Sequence, residues 1–373
     1  LSGEDIRGKN REILEALFRK LPSGVGSSRR DFRLGAGELK RVLEEGAGWA
    51  LTRGYGTGED RAHMEADGCI PGADPSRVSD RALERGRGQL GTVGSGNHFV
   101  EVGRVRELFD REASEAMGLE EGMATVLIHT GSRGLGHQVC SDFISVMIKA
   151  ARAHGIELPD RQLCCAPVES REGRDYLAAM AGAANFAFVN RQMITHWTRE
   201  AFSELFGAAG ARLELVYDVC HNIAKLETHS VQGRATRLCV HRKGATRAFP
   251  PGHREVPERY RPVGQPVLVP GDMGRCSYVL AGTQAGYEET FGSACHGAGR
   301  VMSRKQAKKA AGGRSIAREL EEKGVLVKGA SRATLVEEIS DAYKDVNDVV
   351  EVLHRAGIAR KVAKLEPLVV IKG

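Results

Sequence analysis

With 373 residues, 41% of them hydrophobic and 27% charged, the chain is long enough for two or three domains and has the apolar content to bury a large core. No apolar run approaches the roughly 18 residues of a membrane helix, and the eight cysteines are scattered without a CxxC pair, which argues against a membrane span, a disulfide framework or a zinc ribbon and suits a reducing cytoplasm. The net charge of +6 is uneven: Ser230 to Arg314 carries fifteen Lys/Arg against five Asp/Glu, a basic stretch that points to a polyanionic partner, nucleic acid first.

Glu4 to Lys20 reads as an amphipathic helix, with Ile6, Ile13, Leu14, Leu17 and Phe18 on one stripe. Gly24 to Gly37 reads as a loop, and the Gly-, Asp- and Pro-rich stretch Gly54 to Pro75 as irregular surface structure. Arg77 to Arg87 predicts a short helix leading into Gly88 to Val102, whose end, HFVEV, alternates as a strand does. Ala124 to His129 (ATVLIH) is a short apolar run that ends on a histidine and breaks into TGSRGLGH, after which Gly136 to His154 turns helical. Tyr176 to Phe206 has Ala, Phe, Met and Trp at helical spacing and reads as one or two packed helices, within a helical insertion over 170–208. Leu213 to His221 (LELVYDVCH) and Thr236 to His241 (TRLCVH) read as strands ending on histidine, with Pro266 to Pro270 as a further β-like run. A helix around Val346 to Ala356 and a closing strand, PLVVIKG, complete an order of elements that favours α+β over a regular βαβ array.

The chemistry gathers at three histidines in one setting: His98 at the start of a strand-like run, His129 and His221 at predicted strand ends. Strand ends can converge at one sheet edge, and an all-imidazole set suits a transition metal rather than Ca or Mg. A fourth, His296, lies in SACHGAGRVMSR between small residues, where an exposed imidazole beside a Gly-rich nest is a candidate nucleophile for a phosphorus centre. Arg300 and Arg304 follow at i+4 and i+8, on one face if the segment is helical. Asn97 and Glu101 flank His98, Asn222 and Lys225 follow His221, and HRKGATRAFPPG packs Arg242, Lys243 and Arg247 into a turn-rich phosphate-binding surface. Pro270 to Ser277, PGDMGRCS, is a compact loop able to wrap a small ligand with backbone amides.

Together GTVGSGNHFVEV, IHTGSRGLGH, CHNIAK, HRKGATRAFPPG, PGDMGRCSYVLAG, CHGAGRVMSR, AYKD and the terminal IKG resemble, in order, the successive motifs of the RtcB-type RNA-splicing ligases. RGYGTGED and GADPSRVSDRALERG extend the resemblance upstream. It implies an α+β fold in which mixed sheets bring strand-end histidines to a central metal and nucleotide cleft, with helices packed outside, as one catalytic domain over 1–373. The implied activity is GTP- and Mn²⁺-dependent joining of RNA ends bearing a 2′,3′-cyclic phosphate or 3′-phosphate to 5′-hydroxyl ends, in tRNA splicing or RNA repair. A small acidic activator, archease, is an implied partner, and no membrane is.

Carried over motif by motif, His296 becomes the guanylylated nucleophile and His98, His129 and His221 the metal ligands. Asn97 would contact phosphate, Ala298 and Gly299 the ribose side, and Glu101, Ser277, Tyr343 and Lys372 the guanine. Phe99, Asn222, Gly297 and the loop residues Pro270, Gly271, Asp272 and Met273 would complete the nucleotide site. Arg242, Lys243, Arg247, Arg300 and Arg304 would hold RNA backbone. Two features depart from the family pattern. Its upstream Asp-x-x-Cys, whose thiolate bridges two metals, has no equivalent here, so the second metal site is in doubt; the start on Leu1 rather than Met hints at a longer gene product. Asp272 stands where Ser is expected, and a carboxylate there needs a metal or a cation such as Arg275 beside it. The rival readings are a metal-dependent phosphoesterase on nucleic-acid ends and a non-catalytic RNA- or nucleotide-binding module.

Overall fold

The computed structural model describes residues 1–29 and 31–373, and the alternating segments supply its strands: β1 (Phe99–Leu108), β2 (Ala124–His129), β3 (Asn222–Val231), β4 (Arg234–Lys243), β5 (Ala245–Arg247), β6 (Pro266–Val269), β7 (Ser277–Gly282), β8 (Ser293–Cys295), β9 (Leu326–Gly329) and β10 (Ala359–Lys372). One sheet runs in the order β2-β1-β10-β7-β6 with every pairing antiparallel. β10 is its axis. One edge of β10 pairs with β1 from Ala363 to Lys372, and the other takes β7 at Ala359–Leu365 and the parallel strand β9 at Val369–Lys372. Being paired on both edges, the closing strand extends well upstream of PLVVIKG, and its last residues are interior rather than frayed. The result is a mixed α+β fold.

β3 and β4 form a separate ribbon, closed by the two-residue turn Gln232–Gly233 with φ of 50° and 77°. Positive φ at both positions matches the right-handed twist of the flanking strands. β5 and β8 form a third, short pair.

The helix Arg171–Phe206 runs through the core. It is buried around most of its circumference, which accounts for its weak amphipathic period: helices Asn10–Lys20, Ala36–Glu45 and Arg133–Ala153 all pack on it. Its Trp197 lies directly on the bare Cα of Gly91, where a Cβ would come within 1.6 Å of the indole; Gly91 also holds a φ of 67°. Only glycine meets both conditions, and the loop that leads to His98 is thereby pinned to the helix.

Three expectations change. Glu4 to Lys20 is two helices, Gly3–Gly8 and Asn10–Lys20, broken at Lys9 (φ −129°, ψ 22°), whose ammonium donates to the Leu205 carbonyl at 2.7 Å. Gly54 to Pro75 is not surface structure throughout, because Asp60, His63, Met64 and Glu65 are buried; Asp60 takes a two-pronged contact from Arg199 at 2.7 Å. Among the described residues Leu213 to His221 pairs with nothing beyond a single bridge, Met64 to Asp218. Its carbonyls serve side chains instead: Leu213 accepts from Arg199, Leu215 meets the His63 ring, and Val216 accepts from Tyr260.

Candidate active site

Four histidines converge because four element ends do. β2 ends on His129, which stands in register opposite Phe99, the first residue of β1, so His98 lies just before that strand. His221 immediately precedes β3, and His296 immediately follows β8, with its backbone N–H donating to the Gly244 carbonyl at 3.1 Å. Thus His221 is not at the end of a strand but at the start of one.

Among the described residues, the imidazoles of His129, His221 and His296 offer nitrogens that all lie within 4.8 Å of one another. His296 and His221 stack at 3.7 Å between centroids, and the Nε2 atoms of His296 and His129 are 3.3 Å apart. Two nitrogens bound to one ion at tetrahedral angles and about 2.0–2.1 Å would be separated by about 3.3–3.4 Å, so the pair already has ligand spacing. His98 stands outside this trio. Its ring is 5.8 Å from that of His129, and its Nδ1 faces the Val93 carbonyl at 3.1 Å. The expected nucleophile His296 thus stands directly beside the expected ligands His129 and His221, and His98 lies at the edge of the group with its Nδ1 held by a backbone carbonyl.

Burial keeps all four rings neutral near pH 7. It pushes His98 down to about 3, His221 to about 2 and His296 to about 4, and it carries His129 well below the ordinary range, each helped by neighbouring positive groups. His296 is consequently not the exposed imidazole expected from its small neighbours; its Nδ1 is buried without a partner. A neutral imidazole keeps the lone pair that both a metal ligand and a nucleophile need.

The trio forms one wall of a cavity of about 290 Å³. Asn97, Phe99, Asn222, Pro270, Gly271, Asp272 and Met273 line it as expected, as do Gly297, Ala298 and Gly299. Gly297 (φ 142°) and Gly299 (φ 77°) keep residues 296–303 out of a helix, so Arg300 and Arg304 are not on one helical face. Ala298 N–H donates to the Pro270 carbonyl at 3.2 Å, stitching the two loops together. Asp272 faces Arg275 at 2.9 Å, accepts the Gly274 N–H at 3.0 Å and takes a further contact from the Ser340 hydroxyl. Its carboxylate holds the loop and is balanced by a cation.

At the far end, Glu101 of β1 and Lys372 of β10 are both buried. Burial, with Asp272 adding repulsion, raises Glu101 to about 7, and burial lowers Lys372 to about 8. Ser277 does not line the cavity; its hydroxyl contacts Glu101 Oε1 at 3.2 Å and orients it. Tyr343 does line it, with its hydroxyl engaged by Arg300 at 3.0 Å and by Glu338. Glu338 was not anticipated. Only 1% exposed, it meets Arg300 at 3.0 Å and Lys372 at 3.7 Å. Its cationic partners lie 38 and 34 residues away in sequence, and nothing in its own segment announces it.

The expected phosphate surface divides by strand alternation. Arg242 and Arg247 are each 2% exposed and point inward. Arg242 grips Glu227 through both guanidinium ends at 2.6 and 2.9 Å, while Arg247 meets Glu255 at 2.6 Å and Glu65 at 3.4 Å. Neither guanidinium lies on the surface. Lys243, next along β4, is exposed at the cavity rim with its ammonium 3.2 Å from Asn222 Oδ1. Arg304 is exposed, lines the cavity and faces Glu338 at 3.5 Å and Glu337 at 3.6 Å, while the more enclosed Arg300 is engaged by Glu338 and the Glu337 carbonyl. Lys225 is likewise turned inward, onto Glu65 at 2.7 Å.

The whole chain, residues 1–373, matches the family model described as tRNA-splicing ligase RtcB. It is 54% identical over 375 residues to the tRNA-splicing ligase RtcB of Archaeoglobus fulgidus, with all of this chain and 78% of the relative aligned. It is 52% identical to that of Thermococcus kodakarensis, again over 78% of the relative's length. Against the Methanocaldococcus jannaschii protein it is 52% identical and spans 39% of the relative. No helix among the described residues is long and apolar enough to cross a membrane.

Proposed function

Since the chain belongs to the tRNA-splicing ligase RtcB family, we propose that it joins RNA ends through a guanylylated His296, using GTP and Mn²⁺. The observation that carries this reading is His296 standing against His129 and His221, all three neutral and with ring nitrogens within 4.8 Å of one another, on the wall of a cavity of about 290 Å³. The donors are all imidazole nitrogens, a set that fits Mn²⁺, Zn²⁺ or Fe²⁺ and fits Ca²⁺ poorly. A bound ion would supply Lewis-acid stabilisation of phosphate charge.

The chain's own residues do the rest. Glu101 would accept from the guanine N1 and N2 hydrogens and Lys372 would donate to O6, with Phe99 and Tyr343 supplying apolar surface against the base. A carboxyl raised to about 7 and an ammonium lowered to about 8 both gain from a partner that favours their charged forms, so these two buried groups suit a base with complementary donors and acceptors. His296 would attack the α-phosphorus of GTP: a nitrogen–phosphorus bond forms and the bond to pyrophosphate breaks. An oxygen of the RNA 3′-phosphate would next take the GMP and free the imidazole. The 5′-hydroxyl oxygen would then attack that 3′-phosphate, releasing GMP and its proton. Lys243 and Arg304, both exposed at the cavity, would hold RNA backbone.

The deciding assay is incubation with α-labelled GTP and Mn²⁺ followed by denaturing electrophoresis. An acid-labile, alkali-resistant label that is lost in His296→Ala is expected. Label retained in that variant would refute the assignment, and nucleic-acid end hydrolysis without any adduct would favour the phosphoesterase reading. Running ligation of tRNA halves with and without archease tests whether turnover needs a partner.

A further inference from the structure

Two consecutive residues of the helix Arg171–Phe206 reach the loops that carry the histidines, and no step above uses either one. Asn190, fully buried, accepts the Thr92 N–H at 3.2 Å and donates to the carbonyls of Thr92 at 3.2 Å and Gly131 at 3.0 Å. Thr92 adjoins Val93, whose carbonyl faces His98 Nδ1 and also accepts the Thr130 hydroxyl at 2.6 Å; Gly131 lies two residues beyond His129. Arg191 turns the other way. Its Nε donates to Asp218 Oδ1 at 2.6 Å, three residues before His221, and its Nη1 donates to the carbonyl of Thr130, next to His129, at 3.2 Å. Among the described residues its Nη2 is buried without a partner.

We infer that Asn190 and Arg191 are positioning residues of the centre, fixing the distances between His98, His129 and His221 by bracing the three loops that carry them against one turn of a rigid helix. The loops need such a brace. Among the described residues Leu213 to His221 and residues 92–98 each have a single isolated bridge, Met64 to Asp218 and Ser23 to Gly94, so no sheet ladder fixes either segment. A guanidinium suits the role because its planar fork spans two acceptors in fixed directions, Asp218 on one loop and Thr130 on another; a lysine ammonium can keep the first contact but has no second rigid arm. The helix is a sound anchor, since Trp197 two turns on is seated against Gly91 in the same loop system. Partners that orient metal-ligating histidines typically govern affinity by 10–100-fold.

The inference rests on the metal-dependent reading above, and its test reads the ion rather than turnover. The full chain is titrated with Mn²⁺ and free ion is followed by its electron paramagnetic resonance signal, for wild type, Arg191→Lys, Asn190→Ala and a control, Arg199→Lys. Arg199 lies on the same helix and makes an equally close pair with buried Asp60, and its one contact with the braced loops is at their far end, the Leu213 carbonyl eight residues before His221. Arg191→Lys is expected to bind Mn²⁺ about 10-fold or more weakly and Asn190→Ala to weaken binding in the same direction, with Arg199→Lys close to wild type even where its melting temperature falls equally. Unchanged affinity in both loop-bracing variants would overturn the inference, as would an equal loss in Arg199→Lys, which would mark the effect as general softening of the helix. Failure of wild type itself to take up the ion would overturn the metal reading and this inference together, whereas uptake by wild type with unchanged variants overturns this inference alone.

Discussion

Glu65 offers the sharpest test of how the interior supports the site. Its carboxylate is 1% exposed, meets Lys225 at 2.7 Å and Arg247 at 3.4 Å, and accepts the Cys220 N–H at 2.9 Å, one residue before His221. Burial alone would raise it, but Lys225 and Arg247 overcome that and bring it from an ordinary 4.5 down to about 2. That lowering corresponds to roughly 3 kcal/mol favouring the charged, folded form. The folded value is depressed, so this stability is fully present above about pH 4.5 and is lost as pH falls towards 2, with roughly 1 kcal/mol remaining at pH 3. Glu65→Gln keeps the volume and removes the charge, leaving two cations facing one another. The variant should be less stable than wild type by about 3 kcal/mol in urea at pH 7, with the gap narrowing by about 2 kcal/mol at pH 3. A gap of equal size at both pH values would show that the carboxylate acts through shape and hydrogen bonding rather than charge.

Glu101 should behave oppositely. Its folded value is raised to about 7, so the stability tied to its proton is present below about 4.5 and lost as pH rises to about 7; Glu101→Gln should therefore gain up to about 3 kcal/mol on wild type between pH 4.5 and 7.5 in urea melts, and a pH-independent difference would refute this. Arg242→Met should cost about 3–5 kcal/mol by stranding buried Glu227, visible as a lower urea midpoint, while the salt dependence of RNA binding stays as in wild type. Lys243→Ala should do the reverse, leaving the midpoint unchanged and reducing the slope of log affinity against log salt by about 1 in filter binding; an equal effect of both variants on RNA would undo the inward–outward division of β4.

Local pattern carried the fold where local pattern decides it. The alternating HFVEV, the apolar run ATVLIH and the strand-like TRLCVH became β1, β2 and β4, and the helical period of Tyr176 to Phe206 became the helix through the core. Leu213 to His221 alternates equally well and is not a strand, since its carbonyls are taken by Arg199, Tyr260 and His63 from distant parts of the chain and no sheet edge receives it. Pattern tells that a segment can be extended; it does not tell whether a neighbour exists.

The site divides along the same line. The histidines could be found because each stands beside a turn at an element end, and Lys372 and Glu101 because the resemblance named them. Which three imidazoles meet could not be found, because His296 is brought to His129 by Gly244 and Gly297 through a contact spanning 167 residues. The same holds for the acidic groups that absorb the basic cluster. Arg242 and Arg247 looked available for phosphate only while Glu227, Glu255 and Glu65 were unseen, and once those carboxylates are in place the cationic surface shrinks to residues that alternation turns outward, Lys243 foremost. A basic run in a strand is thus two populations with different roles, and substitution along β4 should alternate accordingly, stability at Arg242 and RNA affinity at Lys243.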